Sequence, residues 1–395
     1  MTTQGRAAAP MSEQDLHAAR AAAAPLLDWL REAAWPVWLA QGVDWTRRAF
    51  HETLDPATFA SASSFRRLRV AARQVFVFAE AHRMGVPRAA EAVELGIEFL
   101  LRAGRGEDGG FAGRFDLEGR VIDPVRDLYD HAFVLLAFAS AAGVLPREAM
   151  RRHALELLGY LDARFAHPLG GYVESLPPAL PRRQNPHMHL LEACLAAAEA
   201  TGEEVFLRRA DTLAGLMLDR MLDAATGSLP EYFDEALSPL REAGRHVVEP
   251  GHHCEWVWLL DWHRAVGTAD QARSEAGAAR LLAFVDRFGA NPATGTLRDE
   301  VWSDGQVKSG GSRLWPQTEW IKAQVLRPDA TAKGILAATA ALERYLLPAP
   351  RGLWLDRLSA AGEATAEPAP ASSLYHITAG ILCLHRALRP GEQAR

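Results

Sequence analysis

The sequence predicts an all-α protein built as an (α/α)6 barrel, a closed toroid of six helical hairpins. Three observations predict this class. Helical periodicity of apolar residues runs through most of the 395 residues, the alternation typical of strands is rare, and one glycine motif recurs six times. Repeated helical hairpins either stack into an open solenoid or close into a ring, and six is the number that closes an (α/α)6 toroid.

The helical segments follow one another along the chain, and each ends near a glycine, a proline or an Asx cluster. The clearest of them, in order, are 65–85, 128–143, 147–165, 204–222 and 269–289. Within each segment apolar residues recur three and four positions apart, which predicts one face that packs against a core. About twelve such segments fit the chain, and we expect no strands between them.

A glycine followed closely by an aromatic or aliphatic residue recurs between the helical segments. The six glycines are Gly42, Gly110, Gly171, Gly227, Gly295 and Gly352. Successive ones are 68, 61, 56, 68 and 57 residues apart, which is room for two helices and two loops. We expect these turns at one end of the barrel, where six inner helices converge and the loops line a central pocket.

No boundary between domains is expected inside the barrel. The sequence predicts a loose N-terminal tail over 1–12 and one catalytic (α/α)6 domain over 13–390. Segment 360–373 is rich in proline, alanine and glutamate, and we expect it to be a mobile loop.

Composition excludes several classes of protein. The net charge is −6 with no basic stripe, which argues against a nucleic-acid-binding protein. No apolar run approaches the ~18 residues of a membrane span, and the N-terminus lacks the pattern of a signal peptide. The three cysteines (Cys194, Cys254 and Cys383) are scattered, which fits a reduced, cytoplasmic setting.

Polar residues collect at the starts of predicted inner helices. In "NPHMHLLEA", 185–193, Asn185, His189 and Glu192 lie three and four positions apart and therefore share one helix face. The alternative is a core histidine satisfied by its own helix. The neighbouring amide and carboxylate favour a binding site.

The segment "EPGHHCEWVWLL", 249–260, begins another helix. His252 and Glu255 are three apart, so Glu255 is predicted to hold the His252 ring in one tautomer. His253 points toward the neighbouring face. The alternative is a helix N-terminus with incidental histidines.

Two later helices carry aromatic and titratable residues together. In "SRLWPQTEWIKA", 312–323, Trp315 and Glu319 are four apart, and an aromatic plate beside a carboxylate is common in carbohydrate sites. A plain amphipathic helix is the alternative there. In "SSLYHITAGI", 372–381, Tyr375 and His376 fall in a first helical turn.

Two earlier helices add a cation and a phenol. Arg73 sits in an apolar stretch, 67–81, where a guanidinium is either functional or held in a structural ion pair. In "DLYDHAF", 127–133, Tyr129 is a candidate sugar contact, whereas we expect His131 to be structural.

No motif predicts a metal or a cofactor. There is no HExxH, and His187 and His189 are two apart, on nearly opposite sides of a helix. His252 and His253 are adjacent and diverge. Nucleotide-binding glycine loops and the GxSxG elbow are also absent.

Five of these motifs, in order, resemble the N-acylglucosamine 2-epimerase superfamily, which includes cellobiose 2-epimerases, mannose isomerases and other aldose–ketose isomerases. The resemblance rests on Arg73 in "RVAARQVFVFAEA" and on "NPHMHLLEA", "PGHHCEW", "LWPQTEW" and "SLYHI", and it covers about 40–388. It implies an (α/α)6 barrel, in agreement with the repeat count.

The resemblance also implies roles for single residues. His252 and His376 are then catalytic, and Glu255 partners His252. Arg73 contacts the reacting oxygens. The remaining substrate-binding candidates are Tyr129, Asn185, His189, Trp315, Gln317 and Glu319.

These residue types suit proton transfer beside a carbonyl. Histidine titrates near working pH, and the negative charge of an enediolate requires a cation such as Arg73 nearby. We expect His376 to remove the proton from C2. His252 is expected to open the sugar ring, or to act as the opposing base in an epimerase.

The wording of two motifs, "LWPQTEW" and "NPHMHLLEA", resembles the mannose isomerase branch. The predicted reaction is interconversion of D-mannose and D-fructose without a metal or cofactor. The partner is a monosaccharide, and a homodimer is allowed. The alternative is a 2-epimerase of the mannose/glucose, N-acylglucosamine or cellobiose type.

Two further classes remain open. A glycoside hydrolase needs two carboxylates, for which Glu319, Glu255 and Asp130 are candidates. A non-catalytic helical scaffold would bind a peptide on a concave face. The histidine-centred motifs favour the isomerase or epimerase.

Overall fold

The computed structural model describes residues 11–61, 63–266, 270–365 and 367–389. Within these ranges the chain forms thirteen α-helices. Their bounds are α1 Glu13–Trp29, α2 Trp35–Gln41, α3 Leu68–Arg83, α4 Ala89–Phe99, α5 Leu128–Ala141, α6 Arg147–Arg164, α7 Gln184–Thr201, α8 Glu204–Leu216, α9 Pro250–Val266, α10 Gln271–Phe284, α11 Trp315–Leu326, α12 Ala332–Leu346 and α13 Ala371–Ala387.

The helices form two concentric layers. The inner layer consists of α3, α5, α7, α9, α11 and α13, each packed on the next, and α13 packs back on α3 to close the ring. The outer layer consists of α1–α2, α4, α6, α8, α10 and α12, and each outer member precedes its inner helix in the chain. The predicted (α/α)6 class is therefore confirmed, and all six inner helices begin at the same end of the barrel.

Burial follows this layering. Inner helix α5 is apolar on every side because helices cover it all round, and its buried residues run almost continuously from Leu128 to Ala141. The Asp127 side chain caps this helix by accepting from the amides of Tyr129 and Asp130. Four outer-layer segments continue into five-residue π-helical turns, Leu30–Ala34, Leu100–Gly104, Met217–Met221 and Val285–Gly289.

The absence of strands expected from the sequence is wrong at one end of the barrel. The described ranges contain eighteen strands of two or three residues, all in the loops that lead from outer to inner helices. They are β1 Val43–Asp44, β2 Ala49–Phe50, β3 Thr53–Leu54, β4 Arg66–Arg67, β5 Arg114–Phe115, β6 Val121–Asp123, β7 Arg126–Asp127, β8 Ser175–Leu176, β9 Arg182–Arg183, β10 Tyr232–Phe233, β11 Val247–Val248, β12 Ala290–Asn291, β13 Thr296–Leu297, β14 Glu300–Trp302, β15 Val307–Ser309, β16 Ser312–Arg313, β17 Arg357–Leu358 and β18 Ala369–Pro370.

These strands join each loop to the next around the mouth of the barrel. The antiparallel pairs between successive loops are β3·β18, β4·β5, β7·β8, β9·β10, β11·β14 and β16·β17. The mouth is therefore closed by its own ring of backbone hydrogen bonds, and this ring fixes the starts of the inner helices relative to one another.

A repeated side-chain contact holds the glycine turns against the inner helices. The fourth residue of α5, α7 and α9 is a histidine whose Nε2 accepts from a backbone amide in the turn, and Gln317 of α11 does the same through Oε1. The contacts are Phe111 N to His131 at 3.0 Å, Tyr172 N to His187 at 3.0 Å, Leu229 N to His253 at 2.9 Å and Leu297 N to Gln317 at 2.8 Å.

We call these four contacts the latch, and the three histidines that take part in it are neutral and structural. Burial lowers the pKa of His131, His187 and His253 to about 4 in each case. The Nδ1 atoms of His131 and His187 also lie within hydrogen-bond distance of backbone carbonyls, of Asp127 and Arg183 respectively. The expectation that His131 is structural is confirmed.

The termini and the proline-rich segment add little to the barrel. Ser12 caps α1 by accepting from the Asp15 amide, and the rest of the predicted tail, 1–10, lies outside the described residues. Segment 360–373 contains β18 and the first turn of α13, so part of it is regular structure. Among the described helices, none has the length and apolar character needed to cross a membrane.

Candidate active site

Three buried histidines from three inner helices face the middle of the mouth. His189 belongs to α7, His252 to α9 and His376 to α13. The ring centroid of Trp315 lies 4.9 Å from that of His252 and 5.4 Å from that of His376, and His189 lies 6.4 Å from His376. The two predicted catalytic histidines therefore both contact one indole.

His376 is held by a carboxylate from the neighbouring helix. Its Nδ1 lies 2.8 Å from Oε1 of Glu319 on α11. Burial, followed by the nearby Arg73 guanidinium, holds the pKa of His376 well below its usual range. The ring is neutral, and its Nε2 has no hydrogen-bond partner among the described residues, as a general base requires.

His252 is held by a different carboxylate and has the opposite charge. Its Nδ1 lies 2.9 Å from Oε2 of Glu231 and 3.9 Å from Oε2 of Glu249. Burial opposes the charge, but Glu231 and then Glu249 outweigh it and raise the pKa of His252 to about 9. The ring is an imidazolium at neutral pH and can donate a proton.

His189 forms the third pair of histidine and glutamate. Its Nδ1 lies 3.0 Å from Oε2 of Glu192, and the Tyr375 hydroxyl donates to the other oxygen of that carboxylate. Burial, followed by Arg73, keeps the pKa of His189 well below its usual range, so the ring is neutral. Beside it, Oδ1 of Asn185 is buried without a hydrogen-bond partner, which suits a sugar hydroxyl.

Arg73 supplies the positive charge in the pocket. Its Nη2 donates to the Tyr129 hydroxyl at 2.6 Å and its Nη1 to the Ser372 carbonyl at 3.5 Å. The guanidinium carbon lies 4.1 Å from the centroid of the Phe133 ring. In the described ranges no carboxylate lies within ion-pair distance of Arg73, so the structural ion pair considered for it is not found.

The family model for N-acylglucosamine 2-epimerase matches residues 49–380 of this sequence. The chain belongs to the N-acylglucosamine 2-epimerase family. It is 40% identical over 382 residues to a mannose-6-phosphate isomerase from Rhizobium meliloti (strain 1021), an alignment that covers 93% of this chain and 97% of that relative. It is 33% identical over 210 residues to a D-mannose isomerase from Thermobifida fusca, with 48% and 51% covered.

Solved structures support the fold. A D-mannose isomerase superposes with a TM-score of 0.81 at 21% identity, and a cellobiose 2-epimerase from Spirochaeta thermophila DSM 6192 with 0.81 at 20%. Both comparisons cover 94% of this chain and 97% of the other. With the family assigned, the chain is an enzyme that acts on carbohydrates as an isomerase or epimerase.

Two residues that the sequence predicted as sugar contacts, Gln317 and Glu319, have other hydrogen-bond partners in the structure. The amide of Gln317 is fully buried and used by backbone groups, since its Nε2 donates to the carbonyls of Leu297 and Arg313. It is a latch and does not reach the sugar pocket. Glu319 was expected to contact the sugar, but one of its oxygens accepts from His376, so it orients the base.

The predicted pairing of Glu255 with His252 is wrong. Glu255 is fully buried, and neither of its oxygens has a hydrogen-bond partner. Its nearest basic contact is Nδ1 of His189, at 3.8 Å. Burial, followed by the neighbouring charge of Glu319, raises the pKa of Glu255 well above its usual range.

Glu231 is the site residue that the sequence analysis missed. It lies in the loop before β10, 21 positions before His252, so no helical spacing connects the two. Gln184 donates to Oε2 of Glu231 at 2.9 Å, and the Trp256 indole donates to Gln184 at 2.6 Å. The sequence offered one indication that Glu231 belongs to the site, which is its position close to the Gly227 turn.

Three groups of side chains could offer ligands to a divalent cation. They are His189–Glu192–Glu255, Glu231–Glu249–His252 and Glu255–Glu319–His376, and within each group the ligand atoms lie within 4.8 Å of one another. The sequence did not suggest them because their members come from separate elements. A metal ligand must be deprotonated, and the surroundings of His252 and Glu255 raise the pKa values of both, which disfavours metal binding through them. A metal-free site stays a prediction.

The arrangement can perform acid–base chemistry on a sugar. A neutral histidine and a protonated histidine both contact an aromatic plate, an arginine without a carboxylate partner lies nearby, and an unpaired amide oxygen is available for a hydroxyl. Each imidazole is fixed through Nδ1 by a carboxylate, which leaves Nε2 for the substrate. Proton abstraction next to a carbonyl needs these groups, and bond cleavage between two flanking carboxylates does not.

Proposed function

We propose that this enzyme interconverts D-mannose and D-fructose by metal-independent proton transfer through an enediolate. One observation carries the proposal: His252 and His376 both contact Trp315, and each is held through Nδ1 by its own carboxylate, in surroundings that raise the pKa of His252 and lower that of His376. Proton abstraction from carbon and ring opening need a base and an acid at the same time.

Ring opening comes first and is assigned to His252. The pyranose opens when one proton leaves the anomeric hydroxyl and another reaches the ring oxygen. The His252 imidazolium donates to the ring oxygen, and the neutral imidazole that remains accepts the hydroxyl proton. That proton regenerates the imidazolium, the form that the charges of Glu231 and Glu249 favour.

Isomerisation follows on the open chain and is assigned to His376. Its Nε2 removes the proton from C2, and the electron pair moves through C1 onto the carbonyl oxygen to form the enediolate. Arg73 and the Tyr129 hydroxyl that it holds stabilise that negative charge. His376 returns its proton to C1, and a hydroxyl proton passes from O2 to O1. Overall, C1 of the sugar is reduced and C2 is oxidised, and no external oxidant or reductant takes part.

The charge at the mouth supports a neutral sugar over a sugar phosphate. A phosphate group is bound by cations that have no other charged partner, and Arg73, which lacks a carboxylate partner, is assigned to the reacting oxygens. Three other arginines at the mouth already have carboxylate partners. They lie just before α3, α7 and α11, and each donates from both its backbone amide and its Nε to one carboxylate. The pairs are Arg67–Glu52, Arg183–Glu174 and Arg313–Asp299. We therefore favour D-mannose over its 6-phosphate.

A 2-epimerase is the second candidate, and one observation supports it. His252 contacts the same indole as His376, and it would epimerise the sugar if it returned a proton to C2 from the face of the enediolate opposite His376. The full-length relative named as an isomerase is the reason to rank isomerisation first. The assembly as a homodimer and the cytoplasmic setting are further proposals, the latter supported by three free cysteines.

Proton NMR of sugars incubated with the enzyme in heavy water tests this function. The substrates are D-mannose, mannose 6-phosphate, D-glucose, N-acetylglucosamine and cellobiose, each without added metal. We expect D-fructose from D-mannose, deuterium at the reacting carbons, and little turnover of the phosphate. H376N should abolish turnover, whereas the latch variant H253Q should retain it.

Other outcomes have definite meanings. Glucose formed from mannose before fructose assigns the enzyme to the epimerase branch. A strong preference for the 6-phosphate contradicts the assignment of the mouth arginines. No reaction with any of the five sugars contradicts proton transfer as the function.

A further inference from the structure

A lysine lies fully buried beneath the site, and the proposed chemistry has not used it. Lys322 of α11 follows Glu319 by one turn, and its side chain is 0% exposed. Its Nζ forms an ion pair with Oε2 of Glu319 and lies 3.4 Å from the centroid of the Trp258 ring. A buried ammonium is costly unless it is paired, and replacing such pairs by apolar residues is often neutral for stability. Stability alone therefore does not explain this residue.

The ion pair connects Lys322 to the base. One oxygen of Glu319 contacts the ammonium, and the other lies 2.8 Å from Nδ1 of His376. An ionised carboxylate can only accept hydrogen bonds, so Nδ1 must carry the ring hydrogen and Nε2 keeps its lone pair. A protonated Glu319 could instead donate to Nδ1. The ring hydrogen would then move to Nε2, which could no longer accept a proton.

The surroundings of Glu319 favour that protonated form. Burial raises the pKa of the Glu319 carboxyl, and the Lys322 ammonium is the strongest influence that lowers it. Burial acts against the charge on Lys322, but Glu319, Glu255 and Glu192 outweigh it and raise the pKa of Lys322. The other titratable or charged groups facing this pair and His376 are Arg73 of α3, His189 and Glu192 of α7, His252 and Glu255 of α9 and Tyr375 of α13.

We propose that Lys322 is a positioning residue that keeps Glu319 ionised and thereby holds His376 in the tautomer that acts as a base. Lys322 acts through Glu319 and touches no reacting atom. Its ammonium contacts Glu319 and also feels the charges of Glu255 and Glu192. The kinetic consequence rests on the proposed function, whereas the tautomer of His376 does not.

The test compares K322M with the wild-type enzyme and with K333M, which removes an exposed lysine from α12. Methionine keeps the length of the side chain and its packing on Trp258 but removes the charge. We expect kcat for D-mannose to fall by about 100-fold in K322M, the scale of a lost general base, with KM little changed. K322R should recover much of the loss, and K333M should match the wild type.

The second readout is the ring tautomer of His376 by 15N NMR. We expect hydrogen on Nδ1 in the wild type and a shift toward hydrogen on Nε2 in K322M. Wild-type kcat together with an unchanged tautomer in K322M would overturn the proposal. If K322M does not fold, K322Q replaces it with the same expectation. If the wild type does not isomerise mannose, the proposed function fails, but the tautomer comparison still decides the role of Lys322.

Discussion

At the scale of single residues, the site separates two kinds of histidine by their partners. His131 and His187 have both ring nitrogens on backbone groups, so they hold the fold. His252 and His376 each have Nδ1 on a carboxylate, and their Nε2 atoms have no hydrogen-bond partner in the part of the chain that the structure describes. The carboxylate environment then sets opposite charges on the latter two, which makes one an acid and the other a base.

The charge of His252 depends on Glu231, and this makes a prediction about pH. The acid form is present below its pKa of about 9, so kcat/KM should be lost as the pH rises through that value. E231Q removes the nearest negative charge and should move this alkaline limb down by about 1 to 3 pH units. The pH profile of kcat/KM for D-mannose measures the shift.

A matched variant controls for the general loss of charge. E249Q also removes one carboxylate, but Glu249 lies 3.9 Å from Nδ1 of His252, whereas Glu231 lies 2.9 Å from it. E249Q should therefore move the alkaline limb less than E231Q does. On the acid side, His376 must be neutral, so activity should persist at pH 6 and fail only well below it. An alkaline limb that E231Q leaves in place would show that another group supplies the proton.

The protonation states also predict the response to metal removal. The raised pKa values of His252 and Glu255 disfavour metal binding through them, and Lys322 already supplies a cation to Glu319. Prolonged dialysis against EDTA should therefore leave the rate of mannose turnover unchanged. A loss of activity that added Mn²⁺ or Zn²⁺ restores would contradict a metal-free site.

At the scale of elements, the latch joins four of the six glycine turns to the next inner helix. Gln317 in α11 makes the same contact as His187 in α7, so glutamine should be able to replace histidine at position 187. H187Q should keep the stability of the wild type. H187A leaves the buried Tyr172 amide without its acceptor and should reduce the free energy of unfolding by about 1 to 3 kcal/mol. Guanidinium denaturation measures both variants, and equal losses in the two would contradict the latch.

The helices could be predicted from the sequence, whereas the strands could not. Apolar periodicity is a local signal, and it gave the helical hairpins and their number. A two-residue strand that pairs with a distant loop has no period to detect, so the ring around the mouth was missed. The repeated histidine in the fourth position of α5, α7 and α9 was visible in the sequence as a repeat feature, but it was not recognised as one.

The candidate site was predictable only where its contacts run along one helix. The spacing of His189 and Glu192 predicted their shared face, and the structure pairs them. Glu231 and Glu319 reach their histidines from 21 and 57 positions away, on other elements. A rule that compares neighbours three and four apart cannot find such partners, and it selected Glu255 for His252 instead.

At the scale of the whole molecule, the barrel is closed twice, once by the inner helices and once by the paired loops. The first and last hairpins also meet, since Trp35 donates to Thr378 at 3.2 Å and Arg20 donates to the Leu388 carbonyl at 2.7 Å. The first and last described helices are therefore neighbours, and the loops at the far end of the barrel lie away from the chemistry.

This closure predicts where the chain can be opened. A circular permutant that joins the termini and starts at Val144, between α5 and α6, should fold and keep its activity. One that starts at Ala179, between β8 and β9 at the mouth, should lose far more activity because it interrupts the ring of loops. Circular dichroism and turnover of D-mannose compare the two. Equal activity in both permutants would show that the mouth ring does not position the site.

The central claim is that His252 and His376 stand in opposite protonation states in one pocket. A pH titration of 15N-labelled enzyme, with the two rings assigned through H252N and H376N, tests it most directly. We expect His252 to remain an imidazolium at pH 7.5 and to titrate near pH 9, with His376 neutral and carrying its hydrogen on Nδ1. Two neutral rings at pH 7.5, or a charged His376, would contradict the account.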